Sequence, residues 1–290
     1  MPDSIVVTGA STGLGRETAF HLAEKGFRVY ATIRDIEKRE ELEAEAEKRK
    51  RKLSVLRLDV TDAASIEETV AAIRKDSGGI YGLINNAGIG LRGYLEDLTD
   101  EEIRGVFDAN VLGVMSLTRA VLPDMRRAGR GRIVLISSVA GRIGSLGVSA
   151  YCASKFALEG FGESLSMEVG PLGVQVILIE PGIVKTERWT TNRAIAAGAT
   201  NERSPYYTWF QESERLADKL VETSTTSPMD VAVAIHRALT VPRPRLRYMV
   251  GRRARLAVTL RRCLPGELFE RIYFGTVMRR VTQTAPTPRG

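Results

Sequence analysis

The stretch that most constrains this chain lies near its start. Ile5-Val6-Val7 is a short apolar run, and it passes directly into Thr8-Gly9-Ala10-Ser11-Thr12-Gly13-Leu14-Gly15. Arg16 to Lys25 then carries Ala19, Phe20, Leu22 and Ala23 on one helical face. The glycines therefore sit on a strand-to-helix turn. Such a turn, lacking Cβ atoms, lets a pyrophosphate approach the backbone, and the helix N-terminus offers free N–H groups and a positive dipole end. The spacing is G-x-x-x-G-x-G, not the G-x-G-x-x-G of the common dinucleotide fingerprint. It is not a P-loop, because Arg16 follows Gly15 where that motif needs lysine and then serine or threonine. The phosphate-facing candidates are Gly9, Ser11, Thr12, Gly13, Leu14 and Gly15.

Extended and helical patterns alternate along the rest of the chain. Strands are predicted at 4–8, 27–33, 53–58, 80–85, 131–137, 174–180 and near 246–250. Helices are predicted at about 13–25, 36–50, 63–75, 100–128, 150–170 and 228–239. This is the rhythm of an α/β fold with a doubly wound parallel sheet. The charged run Asp35 to Lys52 reads as a solvated helix with i,i+4 charge pairs on the outside of the sheet. With 290 residues the chain can bury one large core. It has no run of 18 or more apolar residues, so no spanning helix is expected. The N-terminus passes almost at once into a strand, so no signal peptide is expected. Cys152 and Cys263 fit no metal-ligand spacing and no disulfide framework, which points to a reducing cytoplasm and no metal. The only histidines, His21 and His236, fall in helices away from the other motifs, which argues against a histidine triad or zinc site.

Tyr151-Cys152-Ala153-Ser154-Lys155 carries the chemistry. On a helix, Tyr151 and Lys155 share a face. An ammonium close to a phenol favours the phenolate, which makes tyrosine usable as a proton donor or acceptor near neutrality. Alone, Y-x-x-x-K is weak, because both residues are common. Two further features narrow it. Asn85-Asn86-Ala87-Gly88 closes the apolar run Ile80 to Ile84 in a tight, small-residue turn. Ile133 to Ile136 is a continuous apolar run, as expected of a strand buried on both faces. Ser138 falls at its carboxyl end, where open α/β sheets place ligands, 13 residues before Tyr151.

Taken together these residues resemble the short-chain dehydrogenase/reductase family, and Val29-Tyr30-Ala31-Thr32-Ile33-Arg34-Asp35 resembles the corresponding strand of its 17β-hydroxysteroid and retinol dehydrogenase-like branch. The matching features are T-G-x-x-x-G-x-G at 8–15, Asp59-Val60, N-N-A-G at 85–88, Asn110, Ser138, Y-x-x-x-K at 151–155, and Pro181-Gly182 followed by Thr186. They stand in the family's order and cover roughly residues 3 to 240. The resemblance implies a Rossmann-type sheet, a nicotinamide cofactor, and hydride transfer between that cofactor and a carbonyl/alcohol pair. It implies Tyr151 as the acid, Ser138 as donor to the substrate oxygen, Lys155 as partner of both tyrosine and nicotinamide ribose, and Asn110 as support for a water relay. Asp59 and Val60 are implied at the adenine, Asn86, Ala87 and Gly88 along the cofactor, and Pro181, Gly182, Ile183 and Thr186 against the nicotinamide. A non-catalytic NAD(P)-sensing regulator or scaffold on the same fold is the alternative. Such a protein would be expected to lose the tyrosine or lysine, and this chain retains both, with Ser138 and Asn110.

The end of the second strand bears on cofactor choice. An acidic residue there accepts from the adenosine ribose 2′-OH and repels a 2′-phosphate. The position is Ile33, and Arg34 follows it, which favours NADP(H) over NAD(H). If the strand ran two residues further, Asp35 would be the ribose acceptor. The substrate is expected under the segment 187–227, which holds Trp189 and Trp209, with Leu146 and Val148 as the opposite wall. These aromatics either line an apolar pocket or pack the lid onto the body. The branch makes a steroid, retinoid or long-chain carbonyl or alcohol reasonable. The catalytic domain is drawn at 1–241, with an arginine-rich extension at 242–290 packed on it. The extension has 12 arginines against Glu267 and Glu270. Two helices are predicted there, about 252–264 and 266–281, the second with Leu268, Phe269, Ile272, Tyr273 and Val277 at helical spacing. It reads as a cap or subunit contact, or as a peripheral contact with an anionic membrane, and not as a nucleic-acid module. A homodimer or homotetramer through the long helices is implied by the family.

Overall fold

The computed structural model describes residues 2–187 and 193–282. Its centre is a parallel sheet of seven strands: β1 (Ser4–Thr8), β2 (Arg28–Ile33), β3 (Leu53–Arg57), β4 (Gly82–Asn85), β6 (Gly131–Ile136), β7 (Val174–Pro181) and β9 (Arg247–Val250). They lie in the order β3-β2-β1-β4-β6-β7-β9. The chain builds outward from β1 to β3, then returns to place β4 against the other side of β1. The carboxyl ends of β1 and β4 thus flank the point where the strand order reverses, which is where such sheets bind ligands.

Period-two alternation explains why both faces of the sheet are apolar. Ile5 and Val7 of β1, Val134 and Ile136 of β6, and Ile177 and Ile179 of β7 point to one core. Val6, Ile133, Leu135, Val176 and Leu178, the intervening residues, point to the other. Helices α1 (Gly13–Glu24) and α8 (Pro228–Thr240) cover the first face, with Phe20, Leu22, Val231 and Ile235 buried in it. The second face is covered by α3 (Ala63–Ser77), α5 (Gly113–Ala128) and α6 (Ser149–Val169), through Ile73, Leu117, Val121 and Leu158. The charged helix α2 (Arg39–Lys48) lies outside, with Arg39–Glu43 and Arg49–Glu45 paired at i,i+4 as its sequence suggested.

The single helix predicted at 100–128 is continuous but not regular. It comprises α4 (Asp100–Phe107), a π-helical turn Asp108–Leu112, and α5. It starts with a full capping box, Thr99 with Glu102. Against expectation, this stretch is long and apolar enough by length and composition to cross a membrane, and 50% of its apolar window is buried in the fold. Scattered charges broke the apolar run in the sequence and hid it. The lid contains a helix that periodicity did not single out, α7 (Tyr207–Glu222), and a two-residue strand β8 (Ala194–Ile195) paired with β5 (Leu91–Arg92).

The boundary drawn at 241 falls within the sheet, because β9 is its edge strand. Beyond it, α9 (Arg252–Cys263) and α10 (Gly266–Thr282) fold back onto the segment between Ser138 and Tyr151. Val258 and Phe269 pack on Ile143, with Val139 and Tyr273 alongside. The expected apolar stripe on α10 needs one correction. Phe269 is buried, but Ile272 is 52% exposed. One residue past Ile272, Tyr273 follows Phe269 by four and takes the inward place.

Candidate active site

The glycine turn is built by close approach. Gly9 has φ +64, and a Cβ there would lie 2.9 Å from the Cα of Ala87. A Cβ on Gly15 would fall inside contact with Gly9 O and the Asn86 side-chain nitrogen. Only glycine leaves this floor low enough for a bulky phosphate. The Asn86 amide holds it by donating to Thr8 O at 2.8 Å and to Gly9 O at 3.1 Å. The Thr8 hydroxyl in turn accepts from the N–H groups of Asn86 and Ala87, both at 2.9 Å. Thr12 stands at the N-cap of α1, and its side chain does not cap the first turn. The turn is therefore a cradle with helix N–H groups facing it, which fits the pyrophosphate of a dinucleotide. Thr186 folds over it, 3.5 Å from where a Gly13 Cβ would be. Arg16 and Glu187 close the same side with an ion pair at 2.9 Å.

β2 ends at Ile33. Arg34 is exposed immediately beyond it, and the Asp35 carboxylate accepts from the N–H of Glu37 at 3.2 Å, capping a short 3-10 turn. Asp59, past β3, accepts from the N–H and hydroxyl of Thr61 at 2.9 and 2.7 Å. Burial alone would raise its carboxyl. The Thr61 bonds and the Arg34 and Arg57 charges outweigh that and hold it below the ordinary carboxylate range. Val60 is buried beside it, with its carbonyl against Gly113.

A run of contacts leads from the cradle to the reactive residues. Ala87 packs on Gly9, and Gly88 follows. A Cβ on Gly88 would lie 2.7 Å from Asn110 Oδ1 and 4.0 Å from Lys155 Nζ. Asn110 sits in the π-helical turn and is fully buried. Its Oδ1 accepts from Ile89 N–H at 2.7 Å, and its Nδ2 donates to Ile89 O at 2.8 Å and Ser154 Oγ at 3.0 Å. Lys155 is buried on α6 and donates to Ile136 O at 2.8 Å. That bond fixes α6 to the end of β6, two residues before Ser138. Lys155 Nζ is 5.7 Å from the centroid of the half-buried Tyr151 ring. Ser138 caps a 3-10 turn, its Oγ accepting from Ala140 N–H at 3.1 Å. With an acceptor lone pair used this way, the hydroxyl proton points elsewhere.

After β7, Gly182 N–H donates to Val250 O at 2.9 Å, and Ser224 Oγ donates to Ile183 O at 2.5 Å. Pro181 closes β7. On the substrate side, Leu146 and Val148 are half-buried, and Val148 bridges to Gly93. Trp189 lies outside the described residues. Trp209 is half-buried on α7, its ring 6.5 Å from that of Tyr94, and its buried Nε1 has no hydrogen-bond partner among the described residues. Tyr94 stacks on Tyr206 at 5.0 Å, and burial pushes its phenol up to about 12. Phe210 is buried against Leu91 and Val106, so at least that ring serves to pack the lid. Glu214 on α7 pairs with Arg92 of β5 and with Arg193, tying lid to body.

Several of these groups escaped the sequence reading. Thr8 is matched in the first motif but is given no role there, and Ser154 lies inside Y-x-x-x-K beside the matched lysine; their polar side chains were the available signal. The Arg16–Glu187 and Arg92–Glu214 pairs join residues 171 and 122 apart, and no local pattern marks them.

This chain belongs to the short-chain dehydrogenase family: the family's sequence model matches residues 3–196. It is therefore an NAD(P)-dependent oxidoreductase. It is 38% identical over 269 residues to human retinol dehydrogenase 8, covering 90% of this chain and 85% of that one. It is 37% identical over 250 residues to 3-ketodihydrosphingosine reductase of Bacteroides thetaiotaomicron, covering 86% and 88%. Among solved structures, a short-chain dehydrogenase/reductase from Burkholderia phymatum in complex with NAD superposes with a TM-score of 0.79 at 25% identity, covering 94% and 95%. The F189W actinorhodin polyketide ketoreductase with NADPH gives 0.72 at 29% identity, covering 83% and 91%.

Proposed function

We propose that this protein transfers hydride between NADP(H) and the carbonyl/alcohol pair of an apolar small molecule of retinoid, steroid or long-chain type. The observation that carries the chemistry is the Lys155–Ile136 bond, which gathers Tyr151, Lys155 and the Ser138 strand end beside the glycine cradle. When bound, the nicotinamide supplies the hydride to the carbonyl carbon or takes it from the alcohol carbon. In the reductive direction negative charge grows on the substrate oxygen. Ser138 donates a hydrogen bond to that oxygen and the Tyr151 hydroxyl delivers the proton. Lys155 places a positive charge beside the Tyr151 ring, and the ribose hydroxyls are read as lying within reach of its ammonium. Asn110 acts by positioning, because its amide is committed to Ile89 and Ser154.

Gly9, Ser11, Thr12, Gly13, Leu14 and Gly15 hold the pyrophosphate, Asp59 and Val60 the adenine, and Asn86, Ala87 and Gly88 the nucleoside linking them to the site. Pro181, Gly182, Ile183 and Thr186 close on the nicotinamide. NADP(H) is supported by two features. Asp35, the one candidate ribose acceptor, is turned into a capping bond, while Arg34 is exposed beside Asp59. The apolar substrate is supported by Leu146, Val148 and Trp209 and by the substrates in the names of the two relatives, a 3-ketodihydrosphingosine and a retinol. A cytoplasmic location fits the two unbonded cysteines.

A panel of retinoid, steroid and long-chain ketones and alcohols, read by nicotinamide absorbance, tests this. Turnover is expected with an apolar member and NADPH. Tyr151→Phe should lower kcat by about 10²–10⁴-fold while nucleotide binding stays near wild type, and Lys155→Ala should damage both. Wild-type turnover in the Tyr151→Phe protein would remove tyrosine from the role of acid. Turnover confined to small polar sugars would overturn the substrate class.

A further inference from the structure

The arginines of the C-terminal part converge on one side of the molecule. Arg237 lies in the last turn of α8, Arg243 and Arg245 on the approach to β9, Arg247 on β9, and Arg255 and Arg262 on α9. All six line one open cleft of about 690 Å³ between the edge strand β9 and α9, and among the described residues no acidic one lines it. Arg247 is committed to Glu159, Glu163 and Glu180. Arg255 donates to Met249 O at 3.1 Å. Arg237, Arg243, Arg245 and Arg262 form no ion pair among the described residues, in a chain that pairs its arginines widely elsewhere.

The three carboxylates balance Arg247, but the other five like charges around the cavity repel one another, and an anion in the cavity reverses the sign of that interaction. The planar guanidinium fork matches phosphate oxygens in particular. The cleft is also remote from the dinucleotide cradle. That cradle follows β1, with Arg34 beyond β2, whereas β9 is the opposite edge of the sheet. We propose that the β9–α9 cleft is a second, phosphate-recognising site, distinct from the one that holds the nicotinamide dinucleotide.

Phosphate reaches such a cleft from a soluble polyphosphate or from the headgroup of an anionic lipid. Leu256 and Leu260 bear on the second source. They are 62% and 42% exposed, one turn apart on the outer side of α9 beside the arginines. An interfacial helix presents that same combination to a headgroup layer.

The test uses the protein loaded with one equivalent of its dinucleotide, so that the cradle is filled. Calorimetric titration with tripolyphosphate should show binding that weakens as salt rises. The triple variant Arg243→Gln, Arg245→Gln, Arg262→Gln should bind about tenfold or more weakly and keep its hydride-transfer rate, since none of the three touches the catalytic or cofactor residues. Among the described residues these side chains form no ion pair or hydrogen bond, so the variant should stay folded, and circular dichroism checks it. Cosedimentation with phosphatidylglycerol vesicles, against phosphatidylcholine, separates the sources. Capture that tripolyphosphate competes away and that Leu256→Asp with Leu260→Asp abolishes assigns the phosphate to lipid. Tripolyphosphate binding with no vesicle capture assigns it to a soluble anion. Both results uphold the site. Absence of tripolyphosphate binding to the loaded protein, or equal binding by the triple variant, overturns it.

Discussion

On the proposed reading, Arg34 sets a cofactor preference that the fold leaves open. A cradle of backbone and glycines suits the pyrophosphate of either dinucleotide. Only the 2′ position of the adenosine ribose distinguishes the two. Asp35 would favour the free hydroxyl, but its carboxylate is drawn into the 3-10 turn that follows β2. Arg34 is left at the strand end, close enough to Asp59 to help lower its pKa. Removing a charge-assisted contact to phosphate costs about 1.5–3 kcal/mol. Arg34→Ala should therefore raise the Kd of NADPH about ten- to a hundredfold and leave that of NADH nearly unchanged. Fluorescence titration with both nucleotides measures it. Equal losses for the two would make Arg34 structural.

At the scale of elements, the C-terminal helices brace the segment between Ser138 and Tyr151, to which the proposed mechanism assigns the chemistry. Phe269 of α10 is buried on Ile143, midway between Ser138 and Tyr151. Arg142 in the same segment donates to Glu180 at 3.0 Å, and Arg247 of β9 joins Glu180 to Glu159 of α6 at 3.1 and 3.0 Å. Burial, then the Glu159 charge, push the Glu180 carboxyl up, and the two arginines pull it back only partly. The segment between Ser138 and Tyr151 is thus held from behind by both an apolar and an ionic contact. Phe269→Ala should cost about 3–5 kcal/mol of stability and lower kcat, with dinucleotide affinity unchanged, because the cradle lies across the sheet. Thermal unfolding together with kcat and nucleotide Kd checks this. Unchanged kcat in a destabilised protein would confine Phe269 to packing.

At the scale of the whole molecule, two features reach beyond a single element. Leu112, Met115, Phe156 and Met167 are large, apolar and exposed on the 100–128 helix and α6, with Phe156 and Met167 three turns apart. Such residues on two long helices suit a self-complementary contact between copies. A homodimer or larger homo-oligomer is expected by light scattering at micromolar concentration, and Phe156→Asp with Met167→Asp should give monomers. A monomeric wild type would contradict it. The second feature is the packing of α1 on α8, where His21 and His236 meet edge to face at 5.5 Å. Burial lowers both imidazoles, His21 further through His236 and Lys25, and His236 through Lys25, with Glu24 opposing weakly at His21. The unfolded chain then binds protons at higher pH than the folded one. Stability from this pair is full above the unfolded value, about 6.5, and is lost as pH falls through it toward the lowered folded values. Denaturant midpoints should drop between about pH 7 and pH 5, and His236→Asn should flatten that fall. An unaltered slope in the variant would place the pH dependence elsewhere.

Local patterns in the chain are enough to specify the alternating elements, the glycine turn, Y-x-x-x-K and the membership of one family. Each depends on residues close in sequence: apolar period, missing Cβ atoms, a one-turn spacing. The seven predicted strands all appear, and all seven lie in one sheet, including the one placed in the extension. Only the tertiary structure shows that Lys155 is fastened to Ile136, that Asn110 is spent on Ile89 and Ser154, and that α10 stands behind the catalytic segment. The same holds for the meeting of His21 with His236, 215 residues on in the sequence, and for the arginines gathered in one cleft. These are pairings across long stretches of chain. They depend on which faces the sheet brings together, and a local pattern carries no information about its distant partner.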